Sequence, residues 1–240
     1  MLNKTILVTG VTSGIGYTTA EHLTSVGYSV VAVGRNQQKL EEIKSKMGNF
    51  CRAVFAVDLT KIETIEPVFN QLKDNDIKLD GLIHCAGVDS SLMPVRSVKM
   101  SSLDLLMKLH YEAFVEMGRF FYKKAISNEG SSIIAISSLA SLMCQKNTVD
   151  YSASKAAVNA AIKVMSKEFQ KRNIRVNGIM PANVDTPMCN NLKSAVDIET
   201  IQLMGMIEPI QIAYLVEFLL SNKSKYITGA LIPVSAGMEY

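Results

Sequence analysis

A chain of 240 residues with 48% hydrophobic content has ample material for one buried core, so a single domain over 1–240 is expected, and a formal charge of +3 argues against a nucleic-acid partner and for small-molecule chemistry. Cys51, Cys85, Cys144 and Cys189 lie far apart without a CxxC pair, and His22, His84 and His110 lack metal-ligand spacing, so no metal centre is expected and reduced thiols in a cytoplasmic chain are the default. The start MLNKTILVTG turns into a strand within ten residues, leaving no room for the apolar region of a signal peptide, and no stretch approaches the ~18 uncharged apolar residues of a membrane span.

Apolar runs of strand length recur at 4–9, 29–33, 51–57, 80–85, 131–137, 174–180 and 230–234, and helical periodicity fills 15–26, 36–47, 61–74, 101–127, 151–171 and 209–221. SVVAV and SSIIAIS are almost continuously apolar, as strands covered on both faces must be. The alternation predicts an α/β fold: a Rossmann-type doubly wound parallel sheet of about seven strands with helices on both faces and ligands at the carboxyl ends of its strands. The stretch 187–207 has the least pattern and is the expected substrate lid.

The first strand runs into TGVTSGIG, where Gly10, Gly14 and Gly16 precede a helix directly. Glycines there permit a tight turn and close approach of a pyrophosphate, which the helix N-terminus attracts with its amides and dipole. The spacing is GxxxGxG rather than GxGxxG, and a glycine-rich turn without a ligand remains the alternative. About 19 residues past Gly16, where a carboxylate would meet the ribose diol of NAD, the chain reads AVGRNQQKL, and no acidic residue occurs between Glu21 and Glu41. Arg35 is therefore expected to clamp a 2′-phosphate, favouring NADP over NAD; a solvated loop arginine is the alternative, since Ser13 adds no second cation.

In YSASKAAVNAAIKV, Tyr151 and Lys155 stand four residues apart on one helix face. At ~4 Å and an effective dielectric of ~20 their interaction is worth about 4 kcal/mol, so the lysine is expected to lower the tyrosine pKa toward neutrality and suit it to acid/base work. Taken alone, such a pair also fits a solvated helix face.

TGVTSGIG, Asp58-Leu59, CAG at 85–87, ISS at 136–138, YSASK at 151–155 and RVNGIMPANVDTPM at 175–188, in this order, resemble the short-chain dehydrogenase/reductase family over essentially the whole chain. The resemblance implies an NAD(P)-dependent oxidoreductase, commonly a homotetramer, that moves a hydride between nicotinamide and a carbonyl or hydroxyl carbon. It implies that Ser138 orients the substrate oxygen, that Tyr151 exchanges a proton with it, and that Lys155 lowers the tyrosine pKa and binds the nicotinamide ribose. The implied cofactor site comprises Gly10, Thr12, Ser13, Gly14, Ile15, Gly16, Arg35, Asp58, Leu59, Ala86, Gly87, Tyr151, Lys155, Pro181, Val184 and Thr186. Of these, Asp58 matches an adenine contact and Val184 and Thr186 match contacts to the carboxamide.

Three positions depart from the family pattern. Cys85 replaces the asparagine of NAG, Ala182 replaces the glycine of PG, and His110 stands where the family has a fourth catalytic asparagine, so His110 is either a relay member or a satisfied helix histidine. ITGALIPVSAG also lacks the usual DGG ending. The substrate pocket is expected around Val88, Asp89, Ser90, Leu139 to Asn147 and the lid methionines Met188, Met204 and Met206 with Leu192. A small-molecule carbonyl or alcohol is the expected partner, with a 3-oxoacyl thioester, a sugar and other ketones all open, without membrane or nucleic acid, in a homo-oligomer of two or four copies. The alternative is a catalytically impaired dinucleotide-binding regulator or scaffold.

Overall fold

The computed structural model describes residues 4–189 and 198–240. Seven strands, β1 (Thr5–Thr9), β2 (Ser29–Gly34), β3 (Cys51–Ala56), β4 (Leu79–His84), β5 (Ser127–Ile136), β6 (Arg175–Pro181) and β7 (Leu231–Val234), form one sheet in the order β3-β2-β1-β4-β5-β6-β7. Every pairing is parallel, with Leu7 opposite Val31 on one side and Leu82 on the other. The strand order reverses between β1 and β4, which opens a crevice at their carboxyl ends.

Alternate strand residues feed two cores. Leu7, Val31, Leu82, Ile133 and Val176 pack with α3 (Ile65–Asp74), α5 (Ala113–Phe121) and α7 (Val149–Glu168). Ile6, Val8, Val30, Ile83 and Ile134 pack on the opposite face with α1 (Gly14–Ser25), α2 (Gln37–Met47) and the last helix, α8 (Pro209–Leu220). Strands buried on both faces have no polar face to display, which is why SVVAV reads as continuously apolar. Burial of each such side chain contributes about 1.5–3 kcal/mol.

The helix expected over 101–127 is broken into α4 (Met100–Leu106), a π-helical segment (Met107–Glu112) and α5, and it stops at Phe121. The stop has a tertiary cause. Arg172, buried after α7, donates from Nη2 to the Ser127 carbonyl at 2.6 Å and from Nη1 to the Tyr122 carbonyl, which frees β5 to begin four residues earlier than its apolar run. A short helix unannounced by periodicity, α6 (Ala140–Met143), follows β5.

Candidate active site

At the end of β1 the chain turns through Gly10 and Gly14, whose φ angles of +71° and +53° suit residues without a Cβ. A Cβ on Gly10 would lie 2.9 Å from the Ala86 nitrogen, so the missing side chain is what lets the ends of β1 and β4 meet. A cleft of about 830 Å³, open to solvent, lies above this junction. Gly10, Thr12, Ser13, Gly14, Ile15, Gly16, Arg35, Leu59, Ala86, Gly87 and Thr186 all line it, so eleven of the expected cofactor residues share one wall.

The chemistry of that wall fits a dinucleotide. Arg35 is its charged side chain, and no carboxylate lines it among the described residues. Ser13 caps α1 without a side-chain hydrogen bond, which leaves the first-turn amides available to an anion. Asp58, next to Leu59, accepts from the Thr60 hydroxyl at 2.8 Å and amide at 3.1 Å, and these donors, with a contribution from Arg35, hold its carboxyl below the usual range. Cys85 does not supply an amide's donors there: burial pushes its thiol up to about 12, so it stays protonated.

Ser138, Tyr151 and Lys155, like the expected Asp58, Pro181 and Val184, are not among the residues that line the cleft; the first three stand together, with Lys155 behind its Gly87. Ser138 follows β5 and accepts from the Ala140 amide at 3.2 Å, which leaves its own proton for the Tyr151 hydroxyl. The Leu139 amide donates to the Pro181 carbonyl at 3.0 Å, tying this corner to the end of β6. Lys155 is buried, and its Nζ would lie 3.7 Å from a Cβ on Gly87, so the ammonium stands directly behind the cleft wall.

The electrostatics differ from the sequence expectation. Lys155 Nζ donates to the Ile136 carbonyl at 3.0 Å and sits 5.7 Å from the Tyr151 ring centroid. Burial, followed by the Asp89 carboxylate, raises the Tyr151 pKa above its ordinary value, with the Ser138 hydrogen bond acting the other way. Burial also lowers Lys155 to about 8. Desolvation is thus the largest influence on both groups. Asp89, exposed just past Gly87 and Val88, is the electrostatic neighbour that motif reasoning treated only as pocket lining.

His110 has both ring nitrogens engaged. Nε2 accepts from the Val88 amide at 3.1 Å, which requires the proton on Nδ1, and Nδ1 then donates to Ser154 Oγ at 2.9 Å. Ser154 in turn donates to the Tyr151 carbonyl at 2.8 Å. Burial and the Lys155 charge push the His110 pKa down to about 2, so the ring is neutral. His84, also buried, repeats the arrangement one strand end away: Nε2–H donates to the Leu109 carbonyl at 3.2 Å, Nδ1 accepts from Thr9 Oγ1 at 3.2 Å, and Thr9 Oγ1 accepts from the Ala86 amide at 3.0 Å. Thr9, His84 and Ser154 carried no motif signal and were missed by sequence reasoning.

Val184, expected at the cofactor, forms an isolated bridge with Ile207. The buried Gln202 accepts from the Asn183 amide at 3.0 Å and donates to the Asn183 carbonyl at 3.1 Å and the Gly205 carbonyl at 2.6 Å, pinning the far end of the expected lid. Residues 190–197 of that stretch, including Leu192, lie outside the described residues. Ala182 keeps a negative φ and donates its amide to the Val234 carbonyl at 2.9 Å, so its methyl imposes no left-handed strain. Among the described residues no group of side chains is placed to hold a metal ion, and no helix is long and apolar enough to cross a membrane.

Strand order and cleft together define the class: an α/β protein built to hold a dinucleotide at the carboxyl ends of a parallel sheet. A family profile described as Enoyl-(Acyl carrier protein) reductase matches residues 10–239. The chain is 30% identical to the 3-oxoacyl-(acyl-carrier-protein) reductase FabG of Rickettsia prowazekii, over 99% of this chain and 98% of that one. It is 30% identical to carbonyl reductase family member 4 of Xenopus laevis, over 99% of each. Among solved structures, 4-hydroxyisoleucine dehydrogenase complexed with NADH superposes with a TM-score of 0.89 at 27% identity, over 98% of each chain. The chain belongs to the short-chain dehydrogenase/reductase family and is an oxidoreductase acting at a CH–OH or C=O carbon with a nicotinamide cofactor.

Proposed function

We propose that the protein is an NADP-dependent reductase of a ketone, with a 3-oxoacyl thioester, a sugar and other ketones as the candidate substrates. The observation that carries this reading is a cleft whose wall has Arg35 and no carboxylate among the described residues, with Lys155 directly behind its Gly87 and the hydrogen-bonded Ser138 and Tyr151 next to that lysine. Arg35 and the first-turn amides of α1 hold the phosphates, Asp58 the adenine end, and Val184 and Thr186 the carboxamide. The bound nicotinamide supplies the hydride in reduction and takes it up in oxidation. Ser138 holds the substrate oxygen, and Tyr151 gives it a proton in reduction or removes one in oxidation. Lys155, behind Gly87, holds the ribose and places positive charge beside the phenol.

The high Tyr151 pKa suits the reductive direction, because a phenol that stays protonated is ready to donate. The names of the FabG and carbonyl reductase relatives agree with reduction of a ketone. A cytoplasmic location accords with the four cysteines, which form no disulfide, and a homodimer or homotetramer accords with the exposed Val149 and Val164 on α7.

The test is NADPH consumption against a panel of 3-oxoacyl thioesters, sugars and simple ketones by wild type and Tyr151→Phe. Turnover by wild type with a loss of at least about a hundredfold in the variant is expected. Equal rates would remove Tyr151 from the chemistry, and tight NADPH binding without turnover on any substrate would favour the regulator reading.

A further inference from the structure

We propose that His110 is a positioning residue: as the neutral Nδ1–H tautomer, its ring joins the backbone that follows β4 to the backbone of Tyr151. Three hydrogen bonds in series define the link. The Val88 amide donates to His110 Nε2, His110 Nδ1–H donates to Ser154 Oγ, and Ser154 Oγ–H donates to the Tyr151 carbonyl. Each donor has one proton and each acceptor one role, so the order admits a single arrangement of protons.

Placement makes the link consequential. The His110 ring stands edge-on to the Tyr151 ring with centroids 5.7 Å apart, and a Cβ on Gly87 would meet His110 Nε2 at 3.1 Å. One face of this unit is therefore the cleft wall at Gly87, and the other is the proton donor. The π-helical segment that carries His110 is fixed separately by His84, whose Nε2–H reaches the Leu109 carbonyl. A π turn inserts one extra residue and reorients its side chains, and two neutral imidazoles hold this one from neighbouring positions.

This arrangement leaves no nitrogen of His110 for passing protons. Nε2 is occupied by a backbone donor that cannot be deprotonated, and a second proton on the ring would break that bond. The groups facing the ring agree: Lys155 from α7 and His84 from β4 both oppose a positive charge, and the nearby Asp89 is turned to the Ser90 amide at 2.9 Å. His110 thus acts on catalysis through geometry, by fixing where Tyr151 sits relative to Gly87.

Nitrogen-15 NMR of the histidine rings in the cofactor-free protein tests the tautomer without reference to activity. His110, assigned through His110→Gln, should show a protonated Nδ1 and an unprotonated Nε2, unchanged from pH 5.5 to 9. Titration within that range, or a proton on Nε2, would overturn the proposal. Ser154→Ala, which removes the acceptor and touches no reacting atom, should cost the Nδ1–H signature. With any ketone that wild type turns over, it should also lower kcat by about ten- to a hundredfold, as a misplaced reacting group does, while the KM for NADPH changes less than about threefold. Ser154→Thr should restore both. Unchanged kcat in Ser154→Ala, or a loss confined to KM, would equally overturn it. Absence of turnover in wild type bears on the function proposed above, whereas the NMR result bears on His110 alone.

Discussion

Lys155 donates from Nζ to the carbonyl of Ile136 at 3.0 Å, so its ammonium is anchored at the last residue of β5, and burial there lowers its pKa from 10.5 to about 8. The fold therefore penalises the charged lysine. Below about pH 8 both folded and unfolded chains hold the proton and the penalty is complete; between about 8 and 10.5 the unfolded chain binds a proton the fold has released, so this group's contribution to stability rises with pH. Lys155→Met should remove a penalty of about 3 kcal/mol at pH 7, offset by about 1 kcal/mol for the lost hydrogen bond. Urea unfolding of the two proteins should show the variant more stable at pH 7 and the difference closing by pH 10.5, although the variant loses activity.

Asp89 acts on the other member of the pair. Its carboxylate is the second cause, after burial, of the raised Tyr151 pKa. Asp89→Asn removes a charge that opposes the phenolate, so the phenol should ionise at lower pH. In the oxidative direction, where Tyr151 accepts the proton, the rising limb of the pH–rate profile should move to lower pH, and Asp89→Glu should leave it nearer to wild type. A limb that stays in place in Asp89→Asn would separate Asp89 from the proton transfer.

Arg35 should set the choice of cofactor. Arg35→Asp removes a charge-assisted contact worth about 1.5–3 kcal/mol and adds a carboxylate against the 2′-phosphate, so the ratio of NADPH to NADH affinity should fall by at least about tenfold. Fluorescence titration with both dinucleotides measures the ratio directly. An unchanged ratio would mean that Arg35 does not contact the 2′-phosphate.

Gln202 should matter to stability more than its place in an unpatterned stretch suggests. Its amide satisfies the Asn183 amide and two carbonyls, all within the loop that carries Val184 and Thr186. Gln202→Ala should cost about 2–4 kcal/mol in urea unfolding, because buried polar groups lose their partners. Gln202→Glu should be no milder, since a carboxylate has no proton for the Asn183 and Gly205 carbonyls.

Much of this architecture is legible locally. Continuous apolar runs separated by helical periodicity signal strands covered on both faces, and strand ends fall within a residue or two of their runs at β1, β2, β4 and β6. The glycine turn is equally readable, because φ angles of +71° and +53° are a demand on residue type that the sequence answers with Gly10 and Gly14. The i,i+4 spacing likewise placed Tyr151 and Lys155 on one helix.

What Lys155 bonds to, which proton His110 carries and where the helix after Met100 ends were decided only by the tertiary structure. Each depends on a backbone group brought from elsewhere: the Ile136 carbonyl 19 residues before Lys155, the Val88 amide 22 residues before His110, and the Ser127 carbonyl 45 residues before Arg172. Periodicity reports which side of an element faces the core. It carries no record of which amide or carbonyl at the end of a neighbouring strand is left for a side chain, and burial moves the Tyr151 pKa up, opposite to the shift expected from Lys155.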